Sequence, residues 1–203
     1  MRRWKSLTEH RGSNMVITLL TDFGSSDTYV GQMKGVLTSM APQVTVVDLT
    51  HHVPPQDVLA AAIHLDAAVD AFADDTIHVA VVDPGVGSRR RGIALRNERG
   101  SFVGPDNGLF TAVLERYPAK AIVSLEDRAL FRETVSDTFH GRDIFAPAAA
   151  HLANGLHLTE FGPLIDQPVR LDIPQPIEND DGSLAVHPLI TDHFGNLITN
   201  LHR

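Results

Sequence analysis

Short apolar segments alternate with longer amphipathic ones along most of this 203-residue chain, and that alternation limits the folds open to it. Strands are predicted at residues 16–20, 44–49, 76–82 and 121–125, with helices at residues 27–40, 55–72, around 109–114 and 143–154. Residues 92–97 and 101–103 are expected to pair as a ribbon across a short turn. Strands joined by helices predict an α/β fold, with a doubly wound, mainly parallel sheet covered on both faces.

The predicted helices begin at residues suited to a first turn. Asp27 is an expected N-cap, Pro55 fits the first turn of the second helix, and Asp106 is expected to cap the third. The last helix is expected to run from Asp143 and to end before Gly155. These positions predict where each helix starts relative to the strand before it.

The chain is expected to contain four regions. Residues 1–14 are polar and basic and are interpreted as a disordered leader, so the fold should begin at Met15. Residues 15–160 form the predicted N-terminal α/β domain, and the proline-punctuated residues 161–182 form a linker. Residues 183–203 contain two predicted strands, at 184–191 and 197–201, which are too few for an independent domain. They are interpreted as the start of a truncated C-terminal β domain.

Composition excludes several classes of function. The chain has no cysteine, so disulfides, thiolate metal sites and a cysteine nucleophile are excluded. A net charge of −8 argues against a nucleic-acid partner, because this chain would need a basic face to bind one. There is no apolar run of membrane-spanning length and no signal peptide, which indicates a cytoplasmic protein without a membrane partner.

The loops after the predicted strands are the expected functional region, because right-handed crossovers place them on one rim of the sheet. Asp83 follows the third strand and is separated by a Pro-Gly turn from three arginines at 89–91. A carboxylate and a guanidinium on one tight turn suit a polar substrate, although a hairpin with solvated arginines would look the same. Asp22 ends the first strand, where a carboxylate can accept two ribose hydroxyl groups.

Two histidine patterns have opposing interpretations. His140 lies before the last helix and can take or steer a proton, but a surface histidine beside a capping Asp143 is the alternative. His51 and His52 invite a metal site, yet neighbours on an extended segment point in opposite directions and no second ligand cluster follows. No metal site is therefore predicted. Residues 104–108 lack the lysine and glycine spacing of a phosphate loop and are interpreted as a turn before a helix.

Five motifs, at residues 20–24, 82–87, 104–108, 139–143 and 192–196, occur in an order that resembles the S-adenosylmethionine hydroxide adenosyltransferases, relatives of fluorinase and chlorinase. The resemblance runs from about Met15 to the C-terminus. It implies an N-terminal α/β domain followed by a β-barrel-like domain, in a homotrimer that binds substrate between subunits. The implied reaction converts S-adenosyl-L-methionine and water to adenosine and methionine, with no cofactor.

The same resemblance implies a set of catalytic residues: Asp83, Arg90 and His140, with Arg90 preferred over its two arginine neighbours by its spacing from Asp83. In the resulting hypothesis, His140 and Arg90 orient and polarise the attacking water, while Asp83 holds the ribose and fixes Arg90. The general base stays open: an arginine cannot serve at neutral pH, whereas His140 could.

The resemblance also implies a substrate-binding set. Asp22 matches the ribose position, and Asp192 and Asn196 match positions that meet the methionine amino group and the adenine. The set is completed by Asp27, Gln56, Phe139, Gly141 and Phe194.

Three alternatives remain open. A halogenase would resemble this chain but lack the Asp, Arg and His set. A nucleoside-binding or structural protein without catalysis would follow from the missing C-terminal part, and a metal-dependent hydrolase would use His51 and His52.

Overall fold

The computed structural model describes residues 15–201, so the predicted leader at 1–14 lies outside the described residues. One sheet contains β1 (Val16–Thr21), β2 (Thr45–Thr50), β3 (Ile77–Val81), β4 (Gly92–Asn97), β5 (Gly100–Pro105) and β6 (Ala121–Ser124). The helices are α1 (Tyr29–Met40), α2 (Val58–Val69), α3 (Thr111–Arg116) and α4 (Ala146–Ala153), the last preceded by a π-helical turn at Gly141–Phe145.

The strand order is β2-β1-β3-β5-β4-β6, with β2, β1, β3 and β5 parallel and β4 antiparallel to both of its neighbours. The α/β prediction is confirmed, and so is the β4–β5 ribbon. Because β4 runs against the others, its first residue lies on the same rim as the last residues of β1 and β3. The segment between β3 and β4 therefore begins and ends at that rim.

Alternating side chains of each strand face two separate hydrophobic clusters. Leu19 packs on one face in a cluster with Leu37 of α1 and with residues of α4. Leu20 packs on the other face, in a cluster with Leu65 of α2 and Val113 of α3. Both faces are thus covered, as a doubly wound sheet requires. No helix of residues 15–201 is both long enough and apolar enough to span a lipid bilayer.

Two predicted helix starts are wrong. Asp27 is exposed, and α1 begins after Thr28, which occupies the N-cap position. Pro55 belongs to a turn before α2, and Asp57 is the N-cap, its carboxylate accepting the Ala60 N–H at 2.8 Å. In each case the helix begins two to three residues later than the local pattern indicated, so the loop before it is longer.

The acidic residues expected at the other two helices also differ from the prediction. Asp106 does not cap α3, which starts at Thr111, because its carboxylate pairs with Arg91 at 2.6 Å. Asp143 is not an N-cap either: it is fully buried within the π-helical turn. Both carboxylates bind arginine side chains, and Asp106 lies too far before Thr111 to cap α3.

The C-terminal region contains two small antiparallel pairs, β7 (Ile177–Glu178) with β8 (Leu184–Ala185) and β9 (Pro188–Thr191) with β10 (Leu197–Thr199). The single strand predicted over 184–191 is thus divided between two hairpins. Part of the predicted linker is held against the first domain: the Val169 N–H donates to Asp106 Oδ1 at 2.8 Å and the Leu171 N–H to Thr111 Oγ1 at 2.9 Å.

His78 makes folding stability depend on pH. It is fully buried in β3, where its Nδ1 contacts Thr18 Oγ1 at 2.8 Å and its ring stacks on Phe102. Burial, with a smaller contribution from Arg99, lowers the pKa of His78 to about 4. The unfolded chain has a histidine pKa of about 6.5, so the fold favours the neutral form and loses stability as pH falls from about 6.5 toward 4.

We expect His78 to remove about 2.5 kcal/mol from the free energy of unfolding between pH 7.5 and pH 4.5. Urea denaturation at both pH values should show that this part of the loss disappears in His78→Gln, which keeps a partner for Thr18. An equal loss in the wild type and in His78→Gln would contradict the assignment.

Candidate active site

The loops after β1 and β2 are bound to each other at the rim. The Gly24 N–H donates to the His51 carbonyl oxygen at 2.7 Å, and His51 Nδ1 lies 2.9 Å from Thr21 Oγ1. These contacts bring Asp22 and the segment around Gln56 to one place, as the crossover topology predicts.

The two adjacent histidines of this region have different surroundings. His51 is buried, with its Nε2 3.0 Å from Asp48 Oδ1, while His52 is exposed. Within residues 15–201 there is no group of three or more His, Cys, Asp or Glu side chains arranged to hold a metal ion. The His51 imidazole thus connects β2 to the last residue of β1.

Asp83 and Arg90 form a buried ion pair across the turn that follows β3. Arg90 Nε donates to Asp83 Oδ1 at 3.0 Å, and Nη2 donates to Asp83 Oδ2. Their side chains are only 5% and 8% exposed. Gly87 has a φ of +75°, and a Cβ there would clash with the Asp137 carbonyl oxygen, so the turn requires glycine.

The three consecutive arginines take different directions. Arg89 is exposed, Arg91 pairs with Asp106, and only Arg90 points toward Asp83. The spacing that selected Arg90 therefore agrees with the contact geometry, and the solvated-hairpin alternative is wrong for this residue.

His140 joins this pair through its Nδ1, which lies 3.0 Å from Arg90 Nη2. An arginine guanidinium only donates, so Nδ1 must accept and the neutral imidazole carries its proton on Nε2. Burial, followed by the charge of Arg90, lowers the pKa of His140 below its usual value, although nearby carboxylates oppose this. At neutral pH, His140 is thus an uncharged ring with an N–H donor at Nε2.

The guanidinium of Arg90 is nearly saturated by protein groups. Besides Asp83 and His140, it donates from Nη1 to the Arg91 carbonyl oxygen at 2.9 Å. Among the described residues, one N–H on Nη1 has no acceptor. That N–H and the His140 Nε2–H are the donors that the group can offer to a water molecule.

A cavity of about 390 Å³ lies beside this group, which is large enough for a small-molecule ligand. Six residues of the predicted set line it: Asp22, Gln56, Asp83, Phe139, His140 and Gly141. A second cavity, of about 480 Å³, contacts Arg90 and His140 from the side of Glu126 and Phe131. His140 therefore lines both cavities, whereas Arg90 lines only the second.

Asp22 has one carboxylate oxygen engaged. Its Oδ2 accepts the Gln56 N–H at 2.8 Å, which holds Gln56 in the left-handed region with a φ of +67°. Within residues 15–201, Oδ1 accepts no hydrogen bond from the protein. A conformation that costs about 1 kcal/mol or more is maintained here at the edge of a cavity, where such strain is commonly functional.

An aromatic wall of the cavity was not predicted. Phe23, Tyr29 and Phe139 contact one another with ring centroids 5.1–5.9 Å apart, and all three line the cavity. Phe23 belongs to the motif at residues 20–24, and Tyr29 is the first residue of α1. The signal was weak because an aromatic residue near a helix start is more often ordinary core.

Four predicted substrate-binding residues do not line the cavity: Asp27, Asp192, Phe194 and Asn196. Asp192 organises the β9–β10 turn by accepting the Phe194 and Asn196 backbone N–H groups at 2.9 and 2.8 Å. The Phe194 side chain is 87% exposed. These residues form an ordered, outward-facing turn.

Residues 17–162 match the family model for the SAM hydroxide adenosyltransferase N-terminal domain. The chain is 45% identical to the (R)-S-adenosyl-L-methionine hydrolase of Salinispora tropica, covering 89% of this chain and 70% of that protein. It is 42% identical to the hydrolase of the same name from Thermus thermophilus, with coverages of 92% and 74%.

More distant sequences and a solved structure agree with these similarities. The fluorinase of an Actinoplanes species is 31% identical, with coverages of 94% and 72%. The crystal structure of an uncharacterized conserved protein from Thermotoga maritima superposes with a TM-score of 0.86 at 39% identity, covering 91% of this chain and 71% of that one.

Proposed function

The chain belongs to the S-adenosylmethionine hydroxide adenosyltransferase family, and on that premise we propose that it hydrolyses S-adenosyl-L-methionine to adenosine and L-methionine. A water oxygen attacks the ribose C5′ while the C5′–S bond breaks and its electron pair goes to sulfur. The sulfonium becomes the neutral thioether of methionine, the oxygen becomes the 5′-hydroxyl of adenosine, and one proton is released. A neutral leaving group needs no protonation, so the proposed reaction requires no cofactor.

The catalytic task is to hold one water in line with the breaking bond and to exclude others. His140 suits it because it lines both cavities and has an N–H donor at Nε2, and Arg90 beside it lines the second cavity with one Nη1 N–H that the described residues leave without an acceptor. Asp83 fixes the Arg90 plane by taking two of its donors. With Nδ1 occupied by Arg90, His140 is suited to orient the water and not to remove its proton.

The remaining cavity residues suit a sulfonium nucleoside. Asp22 Oδ1 is available for a ribose hydroxyl, and Gln56, Phe139 and Gly141 line the space beside it. The aromatic wall can attract the sulfonium cation through its ring faces and loses that attraction once the neutral thioether forms. The proposal thus separates binding by the wall and Asp22 from chemistry by Arg90 and His140.

The observation that carries the proposal is the hydrogen-bonded chain from Asp83 through Arg90 to His140 at the edge of this cavity. Incubation with S-adenosyl-L-methionine, followed by chromatography, should give adenosine and methionine in equal amounts. Chloride or fluoride should not divert the product to a 5′-halogenated adenosine. Halogenated product would favour the halogenase alternative, and binding by calorimetry without turnover would favour a nucleoside-binding protein.

The same proposal includes a homotrimer in which the β9–β10 turn of one subunit contacts substrate in another. Its support is the family arrangement together with the ordered, exposed turn that carries Asp192, Phe194 and Asn196 outside the chain's own cavity. Sedimentation equilibrium should give the mass of three chains, with Phe194→Ala weakening substrate affinity about tenfold through loss of a buried ring contact. A monomer with full activity would contradict this arrangement.

A further inference from the structure

A buried carboxylate three residues after His140 has no part in the proposed chemistry. Asp143 is completely inaccessible to solvent. It accepts hydrogen bonds from Arg142 Nε at 2.7 Å and Nη2 at 3.0 Å, from Arg132 Nη1 at 3.2 Å and from the Ser136 N–H at 2.9 Å. These partners keep the pKa of Asp143 below its usual value although burial opposes this.

These contacts close the segment that carries His140 into a loop. The Arg132 N–H donates to the Asp143 carbonyl oxygen at 3.0 Å, and the Asp143 N–H donates to the Phe139 carbonyl oxygen at 3.1 Å. Ser136 Oγ in turn accepts the Phe139 N–H at 3.0 Å. His140 lies between these bonds, immediately before the π-helical turn.

Arg142 attaches the same loop to a neighbouring helix and to the cavity wall. Its Nη1 donates to Gln32 Oε1 of α1 at 2.8 Å, and its guanidinium lies 4.9 Å from the centroid of the Phe139 ring. The Arg142–Asp143 pair therefore fixes residues on both sides of His140.

We propose that Asp143 is a positioning residue for His140, holding the loop so that the imidazole Nδ1 meets Arg90. A buried carboxylate between two arginines is a weak means of stabilising a fold, because desolvation offsets most of the attraction. Its value lies in geometry, since losing it releases four hydrogen bonds that three residues of the loop donate to it. The catalytic consequence rests on the proposed function, whereas the positioning itself can be tested without activity.

The charged groups around His140 allow a sharp test. Arg90 and Asp83 face it from the turn after β3, Asp137 from the preceding loop and Asp143 from the π-helical turn. Removing either of the last two charges without moving the ring would lower the pKa of His140 further. Freeing the ring from Arg90 and from its buried position would instead return that pKa toward the ordinary value of about 6.5.

Titration of His140 by NMR in the ligand-free protein distinguishes these outcomes, with its resonance assigned by its absence in His140→Gln. We expect Asp143→Asn to raise the pKa of His140. The matched variant Asp137→Asn, which removes another negative charge that raises the pKa of His140, should lower it. A lowered or unchanged pKa in Asp143→Asn would overturn the proposal.

Kinetics supply the second readout. Asp143→Asn should lower kcat about 10- to 100-fold and change KM less than threefold, as misplacement of a catalytic group does. Asp66→Asn is the control: Asp66 is also buried, binds Arg116 Nη1 at 3.0 Å and lines neither cavity, so stability should fall with kcat unchanged. An unchanged kcat in Asp143→Asn would contradict the proposal.

Variants of the partners cover the case in which Asp143→Asn does not fold. Arg132→Gln removes one partially exposed donor and should shift the pKa of His140 in the same direction by a smaller amount. Asp143→Glu should restore the wild-type pKa in part. If the wild type releases no adenosine, the proposed function fails, while the titration still decides whether Asp143 positions His140.

Discussion

Arg90→Lys is expected to lower the single-turnover rate of S-adenosyl-L-methionine hydrolysis at least ~100-fold, the effect of losing a positioned hydrogen-bond donor in an active site. An ammonium group can pair with Asp83, but it cannot hold both carboxylate oxygens and His140 Nδ1 in one plane, as the guanidinium does. Adenosine release after rapid mixing measures the rate, and calorimetry measures substrate affinity, which should change only a few-fold.

Arg89→Lys is the matched control for this experiment. Arg89 is the exposed neighbour on the same turn, so its variant should keep the wild-type rate. A wild-type rate in Arg90→Lys, or an equal loss in both variants, would mean that the guanidinium has no special role. Circular dichroism of each variant shows whether the fold is retained. This control is needed because Arg90→Lys changes the partner of the buried Asp83 carboxylate.

The second large effect is expected at His140, where the choice of replacement separates two roles. His140→Ala should lower the chemical rate by about 100-fold or more, because it removes both the acceptor for Arg90 and the donor at Nε2. His140→Gln should retain the rate within about tenfold, since its amide can accept from one side and donate from the other. A glutamine cannot act as a general base, so equal losses in both variants would assign proton removal to His140.

The pH dependence gives an independent check on the same role. Protonation of Nδ1 would abolish its contact with Arg90, so the wild-type rate should fall as the pH decreases. The midpoint should lie below the usual histidine pKa of about 6.5, because burial and Arg90 lower the pKa of His140. His140→Gln should lack this decline. A rate that rises on acidification would show that the imidazolium is the active form.

Much of the fold followed from patterns within short segments. Apolar alternation located the strands, and crossover handedness placed the loops with Asp22 and Asp83 on one rim, where the structure has them. The family resemblance called for an arginine, its spacing from Asp83 selected Arg90 among the three candidates, and the turn after β3 brings that side chain back to Asp83.

Other features depend on contacts that no local pattern encodes. Asp106 and Asp143 looked like helix caps. Asp106 instead pairs with Arg91, and Asp143 pairs with Arg132 and with its neighbour Arg142. Gln56 was named only through the family resemblance, because its left-handed backbone and its bond to Asp22 depend on the turn before α2, whose length could not be inferred from periodicity. The role of the exposed β9–β10 turn in the site of another subunit stays a prediction, because a single chain does not test it.

In the proposed reaction, the oxygen of water becomes the 5′-hydroxyl oxygen of adenosine. A single turnover with S-adenosyl-L-methionine in water enriched in the heavy oxygen isotope, analysed by mass spectrometry, follows that atom directly. Attack of water at C5′ should give one labelled oxygen at the 5′ position of adenosine and none in methionine. Unlabelled adenosine, or label in the amino-acid product, would show that solvent does not attack C5′ and would contradict the assignment of Asp83, Arg90 and His140.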